Sequence, residues 1–536
     1  MTYSPENSSS AASAGIDART LKQWLHDGDE IALLDVREHG LYGEGHLFYA
    51  VPLPFSRLEL EARRLMPRQS VRVVVYDDDG NGVAPQAARA LRAMAYPQVR
   101  VLNGGIAGWR AAGLAVFAGV NVPSKTFGEL AELAFHTPRI SARELAERQA
   151  RGDDLVVLDG RPLGEFNKMN IPGGICCPNG ELALRAELLA PDPATTIVIN
   201  CAGRTRSIIG AQTLINLGVD NPVLALENGT QGWYLEDLPL EHGARRKYPD
   251  AGTVDERLRA RSRALAEKHA VEFVDADTVA QWLAQSDRST YLCDVRTPEE
   301  FATGSLPGAQ HTPGGQLMQA TDQYVACRGA RLVLFDAEGV RAPAVASWLR
   351  QMGWEAFVLR EGLQAQLPAA AALPAAVDAL PQVQPDALAA WHAPGARMLD
   401  VRSSMAYRAA HLPAAEWTIR ARLADAAVAA DARVLFVADE AGVAALAART
   451  LREQGHRGEQ AWLRWDADAV RAAGSEIVAT PQSPPDAQCI DYLFFVHDRH
   501  DGNKAAARQY LAWETDLIHQ IDAQERAAFR LPPMPA

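Results

Sequence analysis

Cysteine is scarce in this chain. Six thiols in 536 residues (Cys176, Cys177, Cys201, Cys293, Cys327 and Cys489) have neither the density nor the spacing of a disulfide framework or a zinc site, so reduced thiols and no bound metal are the expectation. Long apolar runs are missing as well. No stretch of about 18 apolar residues occurs, and the opening MTYSPENSSSAASAG lacks the charged start and apolar core of a signal peptide. No membrane association is expected, and the cytoplasm is the expected location. Basic tracts are absent too, and the net charge is −13. A general affinity for nucleic acid is therefore excluded, and any positive field must be local. What remains is an ordinary globular composition, 48% hydrophobic and 22% charged, long enough for about three to five domains.

The most informative stretch is CAGRTRS, Cys201 to Ser207. It follows an apolar run, TTIVIN (Thr195 to Asn200), that reads as a buried strand, and precedes SIIGAQTLINLG (Ser207 to Gly218), whose apolar residues fall at helical spacing. A loop between a strand end and a helix start turns its N–H groups inward and gains partial positive charge from the helix terminus. Arg204 and Arg206 add to that field. A thiol placed there is favoured as thiolate, so Cys201 is the candidate nucleophile, with Ala202, Gly203, Arg204, Thr205, Arg206 and Ser207 as the candidate anion cradle.

The chain also repeats itself. An apolar run ending in Asp-x-Arg occurs four times: LLDVR (Asp35, Arg37), LVVLDGR (Asp159, Arg161), LCDVR (Asp294, Arg296) and MLDVR (Asp400, Arg402). Four copies imply four similar domains. Cys201 lies 42 residues after Asp159, and the same interval leads from Asp35 to Asp77 and from Asp294 to Asp336. In the fourth copy the run RVLFV leads, after a shorter interval, to Ala438. Only the second copy carries a thiol. Where it has Arg206, the third has Arg341, the first Gly82 and the fourth Val443. Further landmarks agree, with IPGG (Ile171 to Gly174) and LPGA (Leu306 to Ala309) after the Asp-x-Arg runs. NGGIAGW (Asn103 to Trp109) and NGTQGW (Asn228 to Trp233) close the first two copies.

With these motifs in this order, the chain resembles the rhodanese family of sulfurtransferases, in four tandem domains from about Asp17 to Gly474. The resemblance implies α/β domains, each a central, mainly parallel sheet flanked by helices, and thiosulfate sulfurtransferase activity. Cys201 would take sulfur from thiosulfate or a related donor as a persulfide and pass it to cyanide or a thiol. Backbone N–H groups of Ala202 to Ser207 would hold the persulfide, and the two arginines would bind the anionic donor and stabilise departing sulfite. No cofactor is implied. Phosphatase and arsenate-reductase members of the superfamily have one more residue between cysteine and arginine, whereas four residues separate Cys201 from Arg206 here. Two other readings stand beside this one: a sulfur carrier or scaffold whose thiol-less copies bind partners, with a protein as sulfur acceptor, and arsenate or phosphate-ester chemistry at the same loop.

Domain boundaries follow from the landmarks: 16–122, 138–242, 271–368 and 382–474, with a tail at 487–536 that contains a helical run, Lys504 to Ile521, suited to docking on another domain. Gly243 to Ala270 reads as a connecting helix and Pro368 to Pro381 as an Ala/Pro-rich linker. The sequence sets no oligomeric state. His497, Asp498, His500 and Asp501 are close enough to suggest a metal, although a polar turn accounts for them. Cys176 and Cys177 read as small buried hydrophobes rather than resolving thiols. Glu181 is a candidate for facing the acceptor, or else a solvated helix-start residue. Asp159 and Arg161 are expected to hold the cradle in shape.

Overall fold

The computed structural model describes residues 15–369, 377–392, 395–494 and 503–533. Its four sheets follow the four copies. In the second copy the strand order is Arg139–Ile140, Val223–Leu226, Thr196–Asn200, Leu155–Asp159, Ile175–Cys176, every neighbouring pair parallel. The third and fourth copies repeat this order, with central strands Arg331–Phe335 beside Thr290–Asp294 and Arg433–Ala438 beside Ala396–Asp400. Alternate residues of one strand serve opposite layers. Ile197 and Ile199 pack with Leu182 and Leu214, while Val198 packs with Leu145 and Trp233. Burial on both faces explains why these strands read as continuous apolar runs.

Register accounts for the repeat interval. Asp35 stands opposite Tyr76, Asp159 opposite Asn200 and Asp294 opposite Phe335, so the residue that follows each partner leaves the sheet at the same height. In the fourth copy Asp400 pairs with Val437, and Ala438 comes next. In all four copies the arginine of Asp-x-Arg grips its own aspartate: Arg37 on Asp35, Arg161 on Asp159, Arg296 on Asp294 and Arg402 on Asp400. Each also donates Nη2 to a carbonyl eight residues on, Met169 O at 2.7 Å in the second copy. The motif therefore closes the turn after the strand.

The copies are not strung out. The helices Asn179–Leu189 and Gly314–Gln319, equivalent in the second and third copies, meet at their glycines, where a Cβ on Gly180 would lie 2.6 Å from Gly315 N. Cys327–Arg328 of the third copy pairs antiparallel with Ile31–Ala32, extending the first copy's sheet. Arg420 of the fourth copy is bound at both ends by Glu59 of the first, in a buried pair that also stacks on Phe55.

The connections between copies carry helices of their own. Residues after Asn121 form a helix, Val122–Phe135, most of whose residues are buried because the tail helix Lys504–Gln520 lies along one side of it and the second and third copies along the other. The expected connecting helix from Gly243 is confined to Glu256–Lys268, which packs on Arg341–Gln351. The tail docks as expected, with Leu517 and Ile521 joining Phe48, Phe117, Val122 and Leu130 in one core. His497, Asp498, His500 and Asp501 lie outside the described residues. Among the described residues, no helix is long and apolar enough to cross a membrane, and no group of three or more metal-ligating side chains occurs.

Candidate active site

Strand Thr196–Asn200 ends in the middle of its sheet and delivers Cys201 to the loop before helix Thr205–Leu217, which Gly218 terminates in the left-handed region at φ 70°. The loop's carbonyls face away from the cavity. Thr230 N donates to Cys201 O at 2.8 Å and Gln231 N to Ala202 O at 3.1 Å. This tie to the loop at Asn228 leaves the opposite edge to N–H groups. Among the described residues, those from Ala202 to Arg206 donate to no protein group, which leaves the turn's amides available to an anion beside Cys201.

The equivalent cradles of the first and third copies are full. Asp77 accepts from Gly80 N at 2.5 Å and from Ala84 N at 2.8 Å. Asp336 accepts from Gly339 N, Val340 N, Arg341 N and Ala342 N at 2.5–3.1 Å. A carboxylate one atom longer than a thiol reaches the amides that a bound anion would use, so these loops cap their own helices.

The two loop arginines differ. Arg206 makes a two-pronged pair with Glu165, at 2.8 and 2.9 Å, and both line the cavity. Arg204 turns to the linker helix, where Glu129 takes Nε and Nη2 at 2.8 and 2.9 Å and Glu132 also binds Nη2. Its Nη1 reaches Asn228 Oδ1 at 3.3 Å. Burial, reinforced by the Glu514 and Glu132 carboxylates, pushes Glu129 up to about 7 even though Arg204 pulls the other way. Glu129, Glu132 and Glu514 gather here around Arg204 and Lys125, with Arg139 at the outer side of Glu132. Arg204 thus anchors the loop to the linker, whereas Arg206, held by Glu165, lines the cavity itself.

Cys201 is 2% exposed at the floor of a cavity of about 620 Å³. Its walls bring together His39 from the first copy, Lys125 from the linker, Glu165 and Lys168 from the second, Gln316 and Gln319 from the third, and Tyr510 and Glu514 from the tail. Glu514 is 1% exposed and lies against the loop, since a Cβ on Gly203 would come within 2.9 Å of its Oε2.

Other candidates fall elsewhere. Glu181 does not face the cavity: it is buried between Arg185 and Arg341, where the second and third copies meet. Cys176 donates to Arg161 O at 3.4 Å, and burial pushes its thiol up to about 12, while burial also raises the Cys177 thiol well above its ordinary value. Asp159 accepts from Arg161 N at 3.1 Å and from Asn200 Nδ2 at 2.8 Å, bracing the strand end beside Cys201. Arg341, the counterpart of Arg206, is fully buried among Glu181, Glu300 and Glu338. Sequence reasoning missed Glu165, although Glu300 stands at the same offset in the third copy. It also missed Glu129, Lys125 and Glu514, for which no motif exists.

A family model for the rhodanese-like domain matches residues 17–112, 141–236 and 275–367. Over 203 residues the chain is 29% identical to a putative thiosulfate sulfurtransferase, SseB, of Mycobacterium tuberculosis, an alignment covering 31% of this chain and 71% of that protein. It is 25% identical, also over 203 residues, to the 3-mercaptopyruvate sulfurtransferase of Escherichia coli, covering 33% and 71%. The crystal structure of a thiosulfate sulfurtransferase from Pseudomonas aeruginosa matches with a TM-score of 0.88 at 40% identity, covering 97% of this chain and 99% of that one.

Proposed function

From the premise that this chain belongs to the rhodanese-like family of sulfurtransferases, we propose that it moves a sulfane sulfur from thiosulfate or a related donor through a persulfide on Cys201. The carrying observation is the contrast among loops. The second copy has a thiol beneath free amides, while the first and third copies fill those amides with Asp77 and Asp336.

The Cys201 thiolate attacks the outer sulfur of thiosulfate. A bond forms between the two sulfurs, the bond between the donor's sulfurs breaks, and its electron pair leaves with sulfite. Amides of Ala202 to Arg206 hold the persulfide anion, whereas Ser207 N is committed to Arg204 O at 3.0 Å and takes no part; no reorganisation is needed because the loop is already braced by Thr230 and Gln231. Arg206 binds the donor's sulfonate and the charge that builds on departing sulfite, exchanging part of its Glu165 contact to do so. Cyanide ion or a thiolate then attacks the terminal sulfur and returns Cys201 to the thiolate. No cofactor takes part.

The burial of Cys201, which is 2% exposed, favours small molecules as donor and acceptor over a protein thiol. The first and third copies serve here as walls, not as further catalytic units. We assign domain limits of 16–122, 138–242, 271–368 and 382–474 to the four copies and place the protein in the cytoplasm, in keeping with six unpaired, buried thiols. Steady-state turnover of thiosulfate with cyanide tests the reading, and Cys201→Ser is expected to abolish it. A Cys201→Ser protein that still forms thiocyanate would refute the assignment.

A further inference from the structure

The tail helix contributes more than a wall. Thr205, the first residue of the helix after the Cys201 loop, donates its hydroxyl proton to Glu514 Oε1 at 2.8 Å. Lys125 Nζ lies 3.2 Å from the same oxygen and also binds the Tyr510 hydroxyl. Thr205, Lys125, Tyr510 and Glu514 all line the cavity that holds Cys201. A threonine hydroxyl has one proton and two lone pairs. With the proton committed to Glu514, what remains of the Thr205 oxygen is a proton acceptor.

We propose that Thr205 and Glu514 form a relay that deprotonates an incoming thiol, with Glu514 as the positioning residue that fixes the direction of the Thr205 hydroxyl. The inference rests on the sulfur-transfer reading above and assigns the site a low-molecular-weight thiol as acceptor. Such thiols are mostly protonated near neutral pH, with a pKa of about 8.5, so attack by RSH requires its proton to go somewhere. That proton passes to Thr205 Oγ1 while the Thr205 proton passes to Glu514 Oε1. The thiolate attacks the terminal sulfur of the Cys201 persulfide, forming the new S–S bond. The old S–S bond breaks, its electron pair stays on Cys201, and the product leaves as the persulfide RSS⁻. The proton on Glu514 is then released to water. Charge around Glu514 is set by Lys125 and Glu129 of the linker helix, Arg204 of the loop and Tyr510 of its own helix. Of these, Lys125 is the cation in direct reach of Glu514.

The full-length protein is loaded with thiosulfate and freed of excess donor, and discharge of the persulfide is followed against 2-mercaptoethanol and, separately, against cyanide at alkaline pH, where cyanide is an anion with no proton to lose. Glu514→Gln keeps the shape and can still accept from Thr205, but it cannot take a proton. It is expected to slow discharge to the thiol about a hundredfold at neutral pH, the scale of general-base catalysis. The lost rate should return about tenfold per pH unit as the thiol ionises in solution. Discharge to cyanide should fall far less than discharge to the thiol. Thr205→Val should show the same unequal loss, with the same recovery at high pH, and Thr205→Ser should restore the wild-type profile. Equal losses toward thiol and cyanide, or an unchanged pH profile in both Glu514→Gln and Thr205→Val, would overturn the relay. Failure of the wild-type protein to load any persulfide would instead overturn the sulfur-transfer reading itself.

Discussion

Replacing Cys201 by aspartate should convert the second copy's vacant cradle into the filled state of the first and third. The structure supplies the scale. Asp336 accepts four backbone N–H groups in the third copy and Asp77 two in the first. Hydrogen bonds to a charged group contribute roughly 1.5–3 kcal/mol each, so two to four give about 3–12 kcal/mol. Burying a carboxylate costs several kcal/mol in return. Relative to Cys201→Ala, which leaves the amides empty, Cys201→Asp should therefore gain about 1–3 kcal/mol, with Arg206 adding favourable charge from the cavity side. In thermal unfolding that is a rise of about 2–12 °C for a cooperative unit of about 150–250 residues containing the second copy. The assay is differential scanning calorimetry of both variants at neutral pH, and neither should transfer sulfur. A Tm for Cys201→Asp at or below that of Cys201→Ala would show that the amides do not point where the account needs them.

The loop arginines should separate by phenotype: Arg206→Ala should raise the barrier for thiosulfate use by about 1–3 kcal/mol with little change in Tm. Arg204→Ala should lower Tm, because it strands Glu129 and Glu132; calorimetry and kcat/KM on the same preparations distinguish them. Asp336→Cys in a Cys201→Ser background should yield little cyanide-releasable sulfur, since Arg341 is sealed among three glutamates, and recovery near the wild-type level would contradict that. Glu129 carries a folded-state pKa near 7, raised above its unfolded value, so its contribution to stability is present below about 4.5 and is lost as pH rises through 7. Glu129→Gln should remove this loss, so that its Tm relative to wild type climbs between acid and alkaline buffers; a constant difference would refute the assignment.

What the sequence made legible is local. Asp-x-Arg, the strand before Cys201 and the helix after it are set by residues within a few positions of one another, and the repeat interval is the distance between neighbouring strand ends, as Asp159 opposite Asn200 demonstrates. The thiol-less copies could be read off as Asp77, Asp336 and Ala438. How an aspartate would behave there was only half legible: its charge is visible in the sequence, but that it satisfies four amides depends on loop geometry. The composite cavity was not legible. Nothing periodic connects Glu514 to Thr205 or Glu129 to Arg204, because those contacts arise from packing the linker and tail helices together over the second copy. Glu181 shows the same limit, since a helix-start glutamate reads as solvated until the third copy brings Arg341 against it.

The central claim is that sulfur rides on one side chain. Mass spectrometry of the protein after exposure to thiosulfate, with peptide mapping, tests it most directly. The account predicts the gain of one sulfur atom on the peptide containing Cys201, removed by cyanide, with Cys176, Cys177, Cys293, Cys327 and Cys489 unmodified. Sulfur found on any of those five thiols, or none on Cys201, would contradict it.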